Sequence, residues 1–333
     1  MARSENMPIE NTPTVRNPRR EAAVIAGTGV TALVLEPSPP AVAAGPWFAD
    51  DPVDPRGGDG TVLAPAGVPG DLRWRHWLDA HPEHEAWVMR RWLAGPRRLP
   101  APPPTLATTR TSLHRLAASV VAPARHAVNG RFGLRWTLGG FGTPFFGDDR
   151  QIRVEGATLV DQHAGEVRST PVTTLAAAAR FLGVAIDPDT AAEHDTPTVG
   201  DPDEPLDIDP SAGDWLGEWF GMAFAALEAF RADGATIAPS RPQLWPGHFD
   251  AAIEAGDDDR RASYGASPGD VVVPEPYLYV SIWWPDRARI DRDLPLWNAP
   301  GFVGRVLRLS DFGDDDAVAI AASFWRHTRD SLG

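Results

Sequence analysis

The stretch from residue 215 to residue 230 reads WLGEWFGMAFAALEAF and predicts a helix that is apolar around most of its circumference. Its apolar side chains recur at spacings of three and four residues and extend onto neighbouring positions. They are Trp215, Trp219, Phe220, Met222, Phe224, Ala226, Leu227 and Phe230. A helix with so wide an apolar sector is normally buried on several sides. We therefore expect this helix to lie at the centre of the fold.

Short β-like runs follow this helix and lead to a closing helix. The runs lie at 249–255, 262–264, 277–284 and 302–309, and the closing helix at about 314–331. Because turn residues separate the runs, we expect antiparallel pairing.

A similar succession precedes the central helix. An amphipathic helix is predicted at 112–124, followed by strands at 131–137, 151–154, 158–162 and 166–170. A short helix, capped by Thr173 or Thr174, ends at Gly183. The whole pattern predicts an α+β fold with mainly antiparallel sheets packed with helices, in two domains.

Changes in composition set the expected boundaries. Residues 1–20 form a disordered lead, and 21–105 form a Pro- and Trp-rich irregular region that ends in a polyproline-like linker. The first domain, of helix, antiparallel strands and helix, covers 106–186. An acidic linker covers 187–210, and a C-terminal α+β domain covers 211–333.

Two residue types are missing, and their absence excludes several kinds of chemistry. All 31 basic residues are Arg, so the chain is lysine-free and has no Schiff-base or P-loop lysine. It is also cysteine-free, which excludes thiolate nucleophiles, disulfides and iron–sulfur clusters. The sequence leaves the cofactor unknown, and we expect no metal.

The acidic balance bears on possible partners. A net charge of −14 repels phosphate backbones, so we expect no nucleic-acid binding, while a small molecule, a protein partner or a homo-oligomer stays possible. The apolar run 22–35 is shorter than the roughly 20 residues of a membrane span, so we expect no membrane partner. It follows Arg19-Arg20, which leaves an export signal open, although we expect a cytoplasmic protein.

Three local patterns have plainer explanations. Residues 27–32 match a dinucleotide-binding pattern, but the prolines from Pro37 onward stop the helix that the motif requires. The Gly-rich stretch 139–144 is interpreted as a wide hairpin loop with aromatic anchors at Phe145 and Phe146, which could cover a ligand. The group His76, His81, His84 and Glu85 lacks the zincin spacing and is interpreted as capping and packing.

The densest group of reactive side chains lies in the C-terminal domain. Alternation along a strand predicts that His248 and Asp250 share a face, and the same holds for Tyr277 and Tyr279. If the strands pair, an imidazole, carboxylates and phenols converge, which are the groups of acid–base catalysis. The candidate catalytic residues are His248, Asp250 and Asp270. The candidate ligand-binding residues are Trp245, Tyr264, Glu275, Tyr277 and Tyr279. The alternative is a structural network built on good turn chemistry.

Three motifs in this region carry a resemblance. Trp-Pro-x-His-Phe-Asp at 245–250, Ser-Pro-Gly-Asp at 267–270 and Glu-Pro-Tyr-x-Tyr at 275–279 precede a final helix. In this order they resemble an uncharacterised, mainly actinobacterial family of unknown function over residues 241–332. Residues 111–184 are similar to segments found beside that family. The resemblance implies an intracellular module but supplies no reaction and no site residues.

Two functional hypotheses remain. The first is a non-catalytic small-molecule-binding or interaction protein, with an aromatic pocket between the last sheet and the helix of residues 215–230. The second is a hydrolase or isomerase that uses His248 with Asp250 or Asp270 as an acid–base pair. Ser267 is the nearby hydroxyl to test as a nucleophile, although Pro268 argues against a nucleophile elbow.

Overall fold

The structure is a computed structural model of the 333-residue chain. It describes residues 98–332 except 138, 148–149, 164–165, 187, 190–195, 232, 241, 258, 287–289 and 292–293, and it also describes Pro82. The predictions for residues 1–97, including the dinucleotide-like pattern and the His76 to Glu85 group, lie outside the described residues.

The first half of the described chain runs from helix to antiparallel sheet to helix. Helix α1 (Leu106–Leu116) continues through a π-helical turn (Ala117–Val121) into α2 (Ala122–Asn129). Five strands follow in sequence order as β1 (Arg135–Thr137), β2 (Gly140–Gly142), β3 (Arg150–Glu155), β4 (Thr158–His163) and β5 (Glu166–Pro171). Helix α3 (Leu175–Leu182) closes this half, with the Thr174 hydroxyl accepting a hydrogen bond from the Ala177 N–H.

The second half repeats this order of elements. Helix α4 (Pro210–Arg231) leads into β6 (Gln243–Trp245), β7 (Asp250–Ala255), β8 (Ala262–Ser267), β9 (Tyr277–Ile282) and β10 (Gly304–Arg308). These strands form a second antiparallel sheet with neighbours in sequence order. Helix α5 (Ala317–Asp330) follows a short 3-10 turn and has Asp316 as its N-cap. The α+β class with antiparallel sheets is therefore confirmed.

The two sheets meet at one antiparallel bridge. Leu134, just before β1, and Leu244 in β6 exchange two backbone hydrogen bonds of 2.9 Å each. The first strands of the two halves thus lie side by side. Among the described residues, the first strand of each sheet is covered by the other half, so β5 and β10 form the outer edges there.

Helix α4 packs against both sheets. Phe220 contacts Phe141 of β2 and Phe249 just before β7, with ring centroids 6.4 Å and 5.2 Å apart. The largest hydrophobic cluster of described residues accordingly includes side chains from both halves. The two sheets therefore share one core. The expected division into two domains stays a prediction. The acidic linker is also partly packed, since Leu206 is buried and its N–H donates to Thr173.

The Gly-rich stretch 139–144 differs from the expected wide loop. Gly140, Phe141 and Gly142 form β2, the second strand of the first sheet. A Cβ atom on Gly140 would lie 1.9 Å from the Val154 carbonyl oxygen, and one on Gly142 would lie 2.2 Å from that of Ile152. Only glycine fits at both positions, so β2 lacks the β-branched residues that identify strands in a sequence. The expectation that Phe145 and Phe146 cover a ligand is wrong, because both are buried in the core.

The first long helix also runs further than expected. It was predicted over 112–124 with Pro123 near its end, but Pro123 lies at the start of α2. A proline lacks the N–H that an interior helical residue donates, and the π-helical turn directly before α2 changes the hydrogen-bonding pattern there. The helix ends instead at Gly130, whose φ of 69° permits a left-handed cap.

None of the helices in the described part of the chain is both long enough and apolar enough to span a bilayer.

We predict that Phe220→Ala destabilises both halves together. Its ring packs against both sheets, and removing a buried Phe typically costs about 3–5 kcal/mol. Hydrogen exchange during denaturation should show loss of protection in β4 and β8 at the same denaturant concentration. Val128→Ala, at an exposed position, is the control. Loss of protection confined to one sheet would contradict a shared core.

Candidate functional site

The outer face of the second sheet, which points away from α4, carries most of the predicted site residues. Strand pairing places Trp245 opposite Asp250 and Ser267 opposite Tyr277. Since side chains alternate along strands, Tyr279 lies on this same face. The strands do pair, and the structure therefore brings Asp250, Tyr277 and Tyr279 together, while their functional roles stay predictions.

Asp250 and Tyr279 form a buried pair. The Tyr279 hydroxyl donates a hydrogen bond to Oδ2 of Asp250. Oδ1 of Asp250 is buried and has no hydrogen-bond partner among the described residues. Burial raises the pKa of Asp250, although the Tyr279 hydroxyl and nearby His248 act in the opposite direction. Burial and the Asp250 carboxylate raise the pKa of Tyr279 well above its usual value, so its phenol keeps its proton.

This pair depends on a missing side chain in the strand between them. Tyr279 belongs to β9 and Asp250 to β7, and Gly265 of β8 lies opposite Tyr279. A Cβ atom on Gly265 would lie 2.5 Å from the Tyr279 hydroxyl oxygen and from Cζ of its ring. The Tyr279 ring can therefore cross β8 only because position 265 is glycine.

Asp270 fixes the loop between β8 and β9. Its Oδ1 accepts hydrogen bonds from the N–H groups of Val272 and Val273 at 2.7 Å, and its Oδ2 accepts one from the Tyr277 hydroxyl at 2.5 Å. Burial acts to raise the pKa of Asp270, but these bonds and Arg110 outweigh it and lower the pKa. Both oxygens are engaged within the protein, as expected of a structural turn residue.

Helix α1 supplies two side chains that sequence reasoning did not place here. Nη1 of Arg110 donates to the carbonyl oxygens of Pro268 and Pro274 at 3.4 Å and 3.3 Å, which ties the β8–β9 loop to α1. One helical turn later, Nε2 of His114 donates to the Pro246 carbonyl at 2.8 Å, and its ring stacks on Phe249. Their spacing of four residues puts them on one helix face, but nothing in the sequence indicates which distant turns they contact.

His248 lies at the rim of this group. It is exposed and lies in the turn between β6 and β7, so the expected alternation with Asp250 along a strand is wrong. Phe249 has a φ of 56°, which reverses the chain direction before β7 begins. His248 still lies close enough to Asp250 for their charges to interact, but it makes no hydrogen bond with the described residues.

Two predicted ligand-binding residues lie elsewhere. Tyr264 points to the opposite face of the sheet, where its ring packs 4.7 Å from that of Phe230. It lines a separate cleft of about 170 Å³ together with Arg329. The structure thus separates Tyr264 from Tyr277 and Tyr279, because residues an odd number of positions apart in register point to opposite faces.

Glu275 borders a larger cleft of about 380 Å³. Its Oε2 accepts a hydrogen bond from the Ser310 N–H at 3.2 Å. One wall is the Pro-rich segment 98–102, and the other comes from the start of β9 and the approach to α5. The apolar lining consists of Leu99, Pro100, Ala101, Pro102, Pro276, Leu309, Phe312 and Ala317.

The region between α4 and the second sheet, where we expected an aromatic pocket, is filled with side chains. Met222, Ala226 and Phe230 of α4 have no exposed surface, and neither has Leu278 of β9. Tight packing of this kind leaves no room for a ligand.

The described residues also bear on two other kinds of chemistry. They contain no group of three His, Asp or Glu side chains that could hold a metal ion. The Ser267 hydroxyl is buried and accepts a hydrogen bond from the Gly269 N–H at 3.2 Å, which is a turn contact.

We predict that Gly265→Ala breaks the Tyr279–Asp250 hydrogen bond. The new methyl group would occupy the place of the Tyr279 ring, so the free energy of unfolding should fall by about 1–3 kcal/mol. The matched control is Gly234→Ala, where a Cβ atom meets nothing within 4 Å. In a Tyr279→Ala background the cost at position 265 should largely disappear, as measured by a double-mutant cycle of chemical denaturation. An unchanged cost there would contradict this explanation.

We also predict that His114→Gln reduces the loss of unfolding free energy that occurs as the pH falls from about 6.5 to about 4. Burial lowers the pKa of His114 from 6.5 to about 4, and the Pro246 and Gly247 carbonyls only partly oppose this. Between these pH values the unfolded chain binds a proton that the folded chain does not, so stability falls as the pH drops. The original chain should lose ~2–3 kcal/mol more than the variant over this window.

Urea denaturation at a series of pH values measures this difference. His163→Gln is the control, because His163 is exposed. Equal pH profiles for the original chain and His114→Gln would show that His114 is not held neutral by burial.

No known protein family, curated protein or solved structure matches this chain.

Proposed function

We propose that this protein is a non-catalytic binding protein for a small organic molecule, with the cleft beside Glu275 as its site. The observation that carries the proposal is the size and lining of that cleft. Its volume of about 380 Å³ lies within the range of ligand pockets, and its walls are mostly apolar with a few polar groups at the rim.

Aromatic packing makes one wall of this cleft rigid. Phe312 lines the cleft, and its ring lies 6.2 Å from that of Trp219, which stacks on Trp215 at 5.8 Å. The indole N–H of Trp215 in turn donates to the carbonyl oxygen of Pro100, on the opposite wall, at 2.8 Å. Both walls are therefore held by the central helix, and a preformed site of this kind binds with a smaller ordering cost.

The polar groups favour a ligand that is not an anion. Glu275, Asp314 and Asp315 line the cleft, against Arg98 on the other wall. Arg308 lies beside Glu275, at 3.8 Å between Nε and Oε1. The carboxylates at the rim outnumber the arginines there, so an apolar molecule with a neutral or cationic polar end fits this lining better than a carboxylate or phosphate does.

The enzyme alternative has weaker support. The turn N–H groups and the Tyr277 hydroxyl hold both carboxylate oxygens of Asp270, which is the arrangement of a structural turn residue and gives no support to a pair of His248 and Asp270. A pair of His248 and Asp250 stays as the second candidate, because the two groups interact and Oδ1 of Asp250 has no hydrogen-bond partner among the described residues. We also propose that the protein acts in the cytoplasm, a location that its cysteine-free composition favours because secreted proteins often contain disulfides.

We predict that Ala101→Trp blocks the cleft without disturbing the fold. Ala101 is exposed and lines the cleft, so an indole there can occupy the space of the ligand. Native and denaturing mass spectrometry of protein purified from its own source should show an added mass on the original chain, lost from Ala101→Trp.

The matched control is Ala107→Trp, at an exposed position on α1. It should keep the added mass. A bare original chain at every concentration, or an added mass that survives in Ala101→Trp, would contradict the proposed site.

A further inference from the structure

We infer that the outer face of the second sheet contains a binding site for a primary ammonium group, with Oδ1 of Asp250 as its acceptor and Tyr279 beside it. This site is separate from the cleft beside Glu275 and uses none of the residues that line that cleft. The inference stands on the contacts of Asp250 and does not require the cleft to be occupied.

The first support is an unused acceptor in a buried position. Asp250 is 5% exposed, and its Oδ1 has no hydrogen-bond partner among the described residues. A buried polar atom without a hydrogen bond costs about 1–3 kcal/mol, and more when the group is charged. Folded proteins rarely retain such an atom unless a ligand, ion or water supplies the missing hydrogen bond.

The second support is the way in which the carboxyl group is held. Tyr279 donates to Oδ2, and the Tyr279 ring is fixed across β8 by its contact with Gly265. One oxygen is thus engaged, which orients the other. A carboxyl group held in this way presents one acceptor in a defined direction, which favours a single N–H donor over a large chelated ion.

The surroundings favour a cation over a neutral donor. The charged neighbour Asp270 adds to the negative potential at Asp250, while Arg110 is engaged by the carbonyl oxygens of Pro268 and Pro274. His248 is exposed and does not hydrogen-bond the carboxylate. An ammonium group would supply the missing donor and the missing charge together, and the rings of Tyr277 and Tyr279, 6.2 Å apart, offer further cation–π attraction.

The ionisation of Asp250 agrees with an incomplete site. Burial raises the pKa of this carboxyl group, so Asp250 loses its proton less readily than an exposed aspartate does. A bound cation reverses that penalty, because an opposite charge within hydrogen-bonding distance favours the ionised form. Exposed His248 and partly exposed Trp245 flank Asp250, and because Oδ1 is buried these side chains must move aside for a ligand to reach it.

The test compares two cations that differ in hydrogen bonding. Methylammonium has N–H donors, whereas tetramethylammonium carries the same charge without any. We expect methylammonium chloride to raise the thermal unfolding midpoint of the full chain more than tetramethylammonium chloride does at equal ionic strength, through binding to the folded state. In Asp250→Asn, the affinity for methylammonium should fall by about tenfold or more, because a charge-assisted hydrogen bond is lost.

The controls separate this site from general salt effects. Asp203→Asn makes the same change of charge at an exposed position and should leave the preference for methylammonium intact. Tyr279→Phe removes the hydroxyl that orients the Asp250 carboxyl group, so the preference for methylammonium should become weaker than in the original chain. This variant tests the site even if Asp250→Asn fails to fold. Ala101→Trp should also retain the preference for methylammonium, because Ala101 lines the other cleft. This result can therefore be interpreted even if the cleft proposal fails.

Three outcomes would overturn the inference. One is equal stabilisation by both cations, which would mean that Oδ1 is hydrogen-bonded to water or carries a proton. Another is a preference for methylammonium that survives in Asp250→Asn. The third is an undiminished preference for methylammonium in Tyr279→Phe, since the Tyr279 hydroxyl would then not orient the acceptor.

Discussion

The rest of the structure depends on the burial of helix α4 between two sheets. Its aromatic side chains are removed from water on several sides, by packing against both sheets. Phe220 therefore packs against Phe141 from the first sheet and Phe249 from the second. The same demand brings the Pro-rich segment close, since Trp215 needs an acceptor for its indole N–H and finds the Pro100 carbonyl. The cleft beside Glu275 exists because this segment and the approach to α5 lie on either side of the Trp215–Trp219–Phe312 stack.

The outer face of the second sheet follows from a different constraint, namely the satisfaction of buried polar groups. Asp270, Tyr277 and Arg110 together hold the loop between β8 and β9 in one conformation. This arrangement fixes the start of β9, from which Glu275 reaches the cleft and Tyr279 reaches Asp250. Two aspartates that look alike in the sequence thus differ in their hydrogen bonding. Asp270 has every oxygen engaged, whereas Asp250 retains one unused acceptor in a buried position. That difference separates a structural carboxylate from a candidate binding group.

Much of the secondary structure was predictable, and the failures share a cause. The capping hydroxyl of Thr174 and the strands β3, β4 and β5 follow local patterns of turn residues and alternation, and the structure agrees with them. Strand β2 was missed because its composition resembles that of a loop. Gly140 and Gly142 are required because the backbone of β3 lies too close for a Cβ atom at either position. His248 was predicted to lie on a strand because alternation was extended through Phe249, which has a positive φ and packs against His114 and Phe220.

The sequence by itself determined the α+β class, the central position of the helix at 215–230, the exclusion of lysine and cysteine chemistry, and the shared face of Tyr277 and Tyr279. These follow from periodicity, alternation and composition, which are local properties of a chain. Only the tertiary structure decided that Tyr264 faces away from the other two tyrosines, that Asp270 is fully engaged, and that Arg110 and His114 reach the turns around Asp250. The reason is physical, because strand register and contacts between residues more than a hundred positions apart depend on how whole elements share one core.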